Sequence, residues 1–150
     1  MRTALLFGVC GLLLVSRVAL SQDVMTPEQV INRMISTGTL EGHDVKILGG
    51  MGDAAAVVVT KVLAGKEPSL SEMDMTLVVL TRAFADPTAV TTVADRQPKT
   101  ALFVLAYFDS LTSDSGLKKR IADTKRYVQE RYENSVTQIG EEKKKTAARS

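Results

Sequence analysis

Apolar residues recur along this chain at three- and four-residue intervals, the rhythm of helices packed on one face. Thr26-Pro27-Glu28-Gln29 supplies a capping hydroxyl, a proline at the first helical position and a glutamine three residues after the cap. Val30, Ile31, Met34 and Ile35 follow at helical spacing, and Gly38 marks the stop. Ser69-Leu70-Ser71-Glu72 is a second capping box, opening a helix over residues 73–84 that is apolar on most faces. Pro98 introduces another over 100–111, where Leu102, Phe103, Val104, Leu105, Tyr107 and Phe108 leave little polar face. Two such helices need cover from both sides. Over 116–134 the pattern narrows to Leu117, Ile121, Thr124, Val128 and Tyr132 among lysines and arginines, which predicts an outer helix lying on the others.

Residues 53–64 carry opposing signals, because Ala54-Ala55-Ala56 favours helix and the β-branched Val57-Val58-Val59 favours strand. Length, the absence of alternation and Gly65 at a C-cap position predict a helix. Gly50-x-Gly52-x-x-Ala55, just before it, matches the spacing of a dinucleotide phosphate loop. The apolar run ahead of the glycines is only four residues long and no second βαβ unit follows, so the expectation is a glycine-rich turn between paired helices.

The apolar run from Ala4 to Val15 has a different character. It follows Met1-Arg2-Thr3, is interrupted by Arg17, falls short of the roughly 20 residues of a bilayer span, and leads to Ala19-Leu20-Ser21 before the polar Gln22. It reads as a secretory leader cleaved near Ser21, which places the mature chain outside the cytoplasm, in the periplasm or secreted. Cleavage would remove Arg2, Arg17 and Cys10, leaving about 129 residues without cysteine and with 17 basic against 17 acidic side chains. The fold then rests on its core, in one domain. Residues 22–116 carry 7 basic and 12 acidic groups, whereas 117–150 carry 10 and 5, so a basic arm follows an acidic body. The expected organisation is a leader over 1–21, a helical domain over 22–134 and a charged, flexible tail over 135–150.

Turns at Gly52-Asp53-Ala54-Ala55-Ala56-Val57 and, 33 residues on, Ala85-Asp86-Pro87-Thr88-Ala89-Val90 line up, with a looser counterpart at Ser113-Asp114-Ser115-Gly116-Leu117. In each, an aspartate is expected to cap the helix that follows it. Leu48-Gly49-Gly50-Met51-Gly52-Asp53-Ala54-Ala55-Ala56-Val57 resembles the turn of HEAT-like α-solenoid repeats, and the likeness extends over about 38–132. The second unit departs from that pattern with a break at Gln97-Pro98, giving a short helix over 87–94, and the third turn lacks the Ala-Val pair. The fold class is therefore all-α: five or six helices as about three stacked hairpins, a HEAT-like solenoid or an irregular helical bundle. Proteins with repeats of this kind act as interaction modules, and the resemblance implies a protein partner.

The chemistry-bearing residues are sparse. A single histidine, His43, beside Glu41 and Asp44, is too thin a set for a metal site, and a Gly-x-Ser-x-Gly elbow is missing. No catalytic, cofactor or metal residue is assigned, and no cofactor is expected. The polar loop Asp95-Arg96-Gln97-Pro98-Lys99 and the cluster Lys118-Lys119-Arg120 are the candidate partner-binding residues, specifically Asp95, Arg96, Lys99, Lys118, Lys119 and Arg120. Within the loop, Asp95 or Gln97 is expected to cap the next helix and Arg96 to pair locally with Asp95; Arg82 is expected to pair with Asp86. Met34, Met51, Met73 and Met75 are assigned to the core. The reading is a small exported protein-binding or scaffold module. Two alternatives stand beside it: an accessory subunit or helical enzyme using carboxylates from Glu41, Asp44, Asp86, Asp95 and Asp109 that converge in the fold, and a protein bound to membrane surfaces through its basic arm. Export and a tail without aromatics argue against nucleic acid.

Overall fold

Both capping boxes form. In the computed structural model, which describes residues 24–149 apart from 91, the Thr26 hydroxyl accepts the Gln29 N–H while the Gln29 side chain accepts the Thr26 N–H. Helix α1 (Pro27–Thr37) follows, buries Val30, Ile31, Met34 and Ile35, and ends at a left-handed Gly38 whose N–H donates to the Met34 carbonyl. Ser69 and Glu72 exchange the same two bonds at the start of α4 (Leu70–Ala83). The leader assigned to residues 1–21 lies outside the described residues. Within them there is no strand, and no helix is long and apolar enough to cross a membrane.

Lys66 donates to the Glu72 carboxylate, and this bond, followed by the Ser69 N–H, holds the carboxyl below the usual glutamate range. A lowered pKa means that the contribution is complete above the ordinary glutamate value and is lost as pH falls through the lowered one. The expected result is that Glu72→Gln flattens the acid limb of stability below the ordinary glutamate range by less than about 1 kcal/mol, read by urea unfolding against pH.

The remaining elements are α2 (Asp44–Leu48), α3 (Asp53–Val62), a 3-10 turn (Pro87–Ala89), α5 (Val93–Arg96), α6 (Lys99–Leu111) and α7 (Ser115–Ala147). Helices α1, α4 and α7 form one layer, and α3 and α6 the other. The Gly52 N–H, at the start of α3, donates to the Ala83 carbonyl at the end of α4, so these two run antiparallel. Asp109 near the end of α6 faces Lys118 near the start of α7, a second antiparallel pair. The Asp53 carboxylate holds the start of α6, and Arg120 of α7 holds Asp74 of α4, so the second hairpin lies beside the first in the same direction. The core between the layers includes Ala55, Ala56 and Val59 of α3, Leu77 and Leu80 of α4, Leu105 and Phe108 of α6, and Ile121 and Val128 of α7. The chain is all-α, as the pattern predicts, and the segment expected as helix over 53–64 is helix over Asp53–Val62 despite its valines.

Three expectations are corrected. The two hairpins that lie side by side, α3–α4 and α6–α7, start at Asp53 and Lys99, 46 residues apart, not at the turns 33 residues apart that line up in the sequence. The expected helix over 87–94 is instead a 3-10 turn and the four-residue α5, because the Asp86 carboxylate takes the Thr88 and Ala89 N–H groups and the β-branched Val90 and Thr92 are extended. Helix α7 continues past Asn134 to Ala147, 33 residues in all. Glu141 and Lys145 stand four apart in the favourable order, and the lysines sit at the negative end of the helix dipole.

Candidate functional site

A groove of about 620 Å³ runs along the outer side of α4, between α7 and Gly38 at the end of α1. Its floor is Met75 and Val78, partly buried and three residues apart on one helical face. Met75 thus belongs to a surface hollow as well as to the packing assigned to it, whereas Met34 and Met73 are core residues. At one end Asp74 and Arg120 pair at 2.7 Å across the two helices. At the other, Arg82 is exposed and makes no ion pair among the described residues. The expected Arg82–Asp86 pair does not form, because α4 ends at Ala83 and Asp86 turns its carboxylate to the Thr88 hydroxyl at 2.6 Å. That bond, ahead of the Thr88 and Ala89 N–H groups, holds the Asp86 carboxyl below the usual aspartate range.

The polar stretch around His43 forms an ion-pair cluster that the sequence pattern does not reveal. Asp44 is fully buried, and both its oxygens accept from Arg33 Nη2, at 2.5 and 2.6 Å. Its Oδ2 also takes the Glu41 N–H at 2.7 Å, and Arg33 Nη1 donates to the Glu41 carboxylate. Half-exposed His43 stands 3.3 Å from Asp44 Oδ1 and 3.5 Å from Glu41 Oε2. Among the carboxylates considered for catalysis, Glu41 and Asp44 converge, and they do so on Arg33. Asp95 bonds the Thr92 hydroxyl, and Asp109 stands 4.0 Å from Lys118. Among the described residues, no group of three or more His, Cys, Asp or Glu side chains is placed to hold a metal ion.

The glycine turn that matches a phosphate loop is filled by protein. Gly50 and Gly52 both have positive φ; a Cβ on Gly50 would lie 3.0 Å from Ala89 Cβ, and one on Gly52 only 2.3 Å from the Asp95 carbonyl oxygen. The missing side chains admit the chain's own backbone where a pyrophosphate would need to sit. Helix α2 occupies the place where a phosphate loop would need a strand.

The six candidate binding residues fall into two groups separated by the length of α6, about 18 Å at 1.5 Å per residue. Arg96 does not pair with Asp95; its Nε and Nη2 donate to the Val90 carbonyl at 3.0 and 2.9 Å. Neither Asp95 nor Gln97 caps α6. Asp53 does, accepting the Thr100 N–H at 2.9 Å and the Ala101 N–H at 2.8 Å, instead of capping its own helix. Lys99 is exposed on the first turn of α6, and Lys118 and Lys119 on that of α7, where Arg120 alone lines the groove. Sequence reasoning missed Met75, Val78 and Arg82 as groove residues; a helix apolar on most faces does not reveal which face stays open. Compared with protein-family models, with curated proteins and with solved structures, the chain matches none.

Proposed function

We propose that the chain is an exported helical module of the HEAT-like kind that holds a segment of a partner protein in the groove over α4. The observation that carries this reading is the open, apolar floor of Met75 and Val78 between an anchored ion pair, Asp74–Arg120, and an uncommitted guanidinium, Arg82. Concave apolar surface with a few polar groups at its rim is the usual form of a recognition site. The parallel placement of two hairpins supports the repeat reading, and the apolar run before Ser21 supports export.

Val78→Asp and Arg82→Glu are the variants that test it. Each is expected to weaken capture of the native partner from the extracytoplasmic fraction by about tenfold or more, with the helical circular dichroism unchanged. Capture that survives both substitutions at full strength would remove the groove from the account.

A further inference from the structure

The opposite layer carries a second open surface. Asp53 reaches from α3 to the start of α6, and Val57 and Lys61 lie one and two turns further along that same face of α3. Val57 is 42 % exposed, so the seam between α3 and α6 is uncovered there. On α6, Lys99, Phe103 and Tyr107 recur every four residues, and the two aromatic side chains are 69 % and 44 % exposed. Phe103 is the most exposed aromatic residue among the large hydrophobics of the described chain. Because the starts of α3 and α6 are tied together, Val57 stands level with Phe103, and Lys61 with Tyr107.

The charge of this seam is one-sided. Lys61 and Lys99 are both exposed and make no ion pair among the described residues. The carboxylate on the stripe itself, Asp53, is buried and already accepts two amide N–H groups, while Glu28 of α1 shares a hollow with Lys61 on the other side of α3 without forming an ion pair with it. We propose that the α3–α6 seam docks an acidic segment of a partner protein, whose apolar side chains cover Val57, Phe103 and Tyr107 while its carboxylates meet Lys61 and Lys99. The chain's own basic arm, with Lys143, Lys144 and Lys145, is repelled by the same lysines, which disfavours a second copy docking through that arm. Two lysines are few for a nucleic-acid track, where affinity grows with each neutralised phosphate.

This surface and the groove over α4 lie on different layers, so each can fail without the other. The probe is a library of short random peptides displayed on phage and selected against the purified protein. A synthetic copy of the most enriched peptide is then titrated against the wild type, Phe103→Ala, Lys61→Glu/Lys99→Glu and the groove variant Val78→Asp. The expected result is enrichment of Asp and Glu beside aromatic or aliphatic residues. Phe103→Ala should then cost about tenfold in affinity and the double lysine variant more, with weakening by salt and no effect of Val78→Asp. Peptides without acidic enrichment would overturn the inference, as would binding lost in Val78→Asp but kept in Phe103→Ala, displacement by oligothymidylate, or no enrichment over Phe103→Ala used as bait.

Discussion

Arg33→Ala is expected to destabilise the fold by about 3–5 kcal/mol, the largest effect of any single substitution outside the apolar core. The side chain is the charge partner of a fully buried carboxylate, and its removal leaves Asp44 with the Glu41 N–H and half-exposed His43 in place of a guanidinium nitrogen shared by both its oxygens. Asp44→Ala strands the other half and is expected to cost somewhat less, because Arg33 keeps Glu41 and a path to solvent. The paired change Arg33→Met/Asp44→Leu should recover most of the loss, since an apolar pair of similar size carries no desolvation cost. Urea unfolding of the wild type and the three variants ranks them. If Arg33→Ala lost less than about 1 kcal/mol, the pair would be contributing as little as a surface ion pair does.

Asp53→Ala is expected to cost about 3 kcal/mol, or on the order of 10 °C in midpoint temperature. Its two oxygens satisfy the Thr100 and Ala101 amides at the start of α6, where Pro98 offers no capping side chain of its own. The bonds are charge-assisted and join residues 47 and 48 positions apart, so they stitch the first hairpin to the second as well as cap a helix. Asp53→Asn keeps one acceptor oxygen and should recover about half of the loss. Thermal unfolding followed by circular dichroism separates the three proteins.

The two aspartates also show which parts of the fold the sequence could carry. Thr26 with Gln29, Ser69 with Glu72, and Gly38 act within one turn, and spacing alone identifies them. Asp53 stands at the start of a helix and looks like its cap, yet it serves a helix that begins 46 residues later; a local pattern has no means of naming that recipient. Arg33 sits at the edge of the apolar stripe of α1, and Asp44 in a stretch with the composition of a loop, so their pairing is visible only once α2 folds back on α1. Gly50 and Gly52 were legible as a glycine-rich turn, whereas the groups that fill their vacancies, Ala89 and the Asp95 carbonyl, come from a distant segment and were not. The charges after Asn134 resemble a solvated tail in composition, but the order in which Glu141, Glu142 and the lysines occur suits a helix. Of the candidate site, Arg120 was reached from the sequence because it is charged, whereas Met75 and Val78 were hidden among residues equally suited to a core.

If a partner segment lies in the groove over α4, a photo-activated crosslinking residue placed at Val78 will capture it. The same residue at Glu133, exposed on α7, serves as the control. Irradiated in an extract of the native cells and their medium, the Val78 protein is expected to give one discrete adduct that disappears when Arg82→Glu is added, while Glu133 gives none. Equal adducts at both positions, or none at Val78, would mean that the groove holds no partner segment.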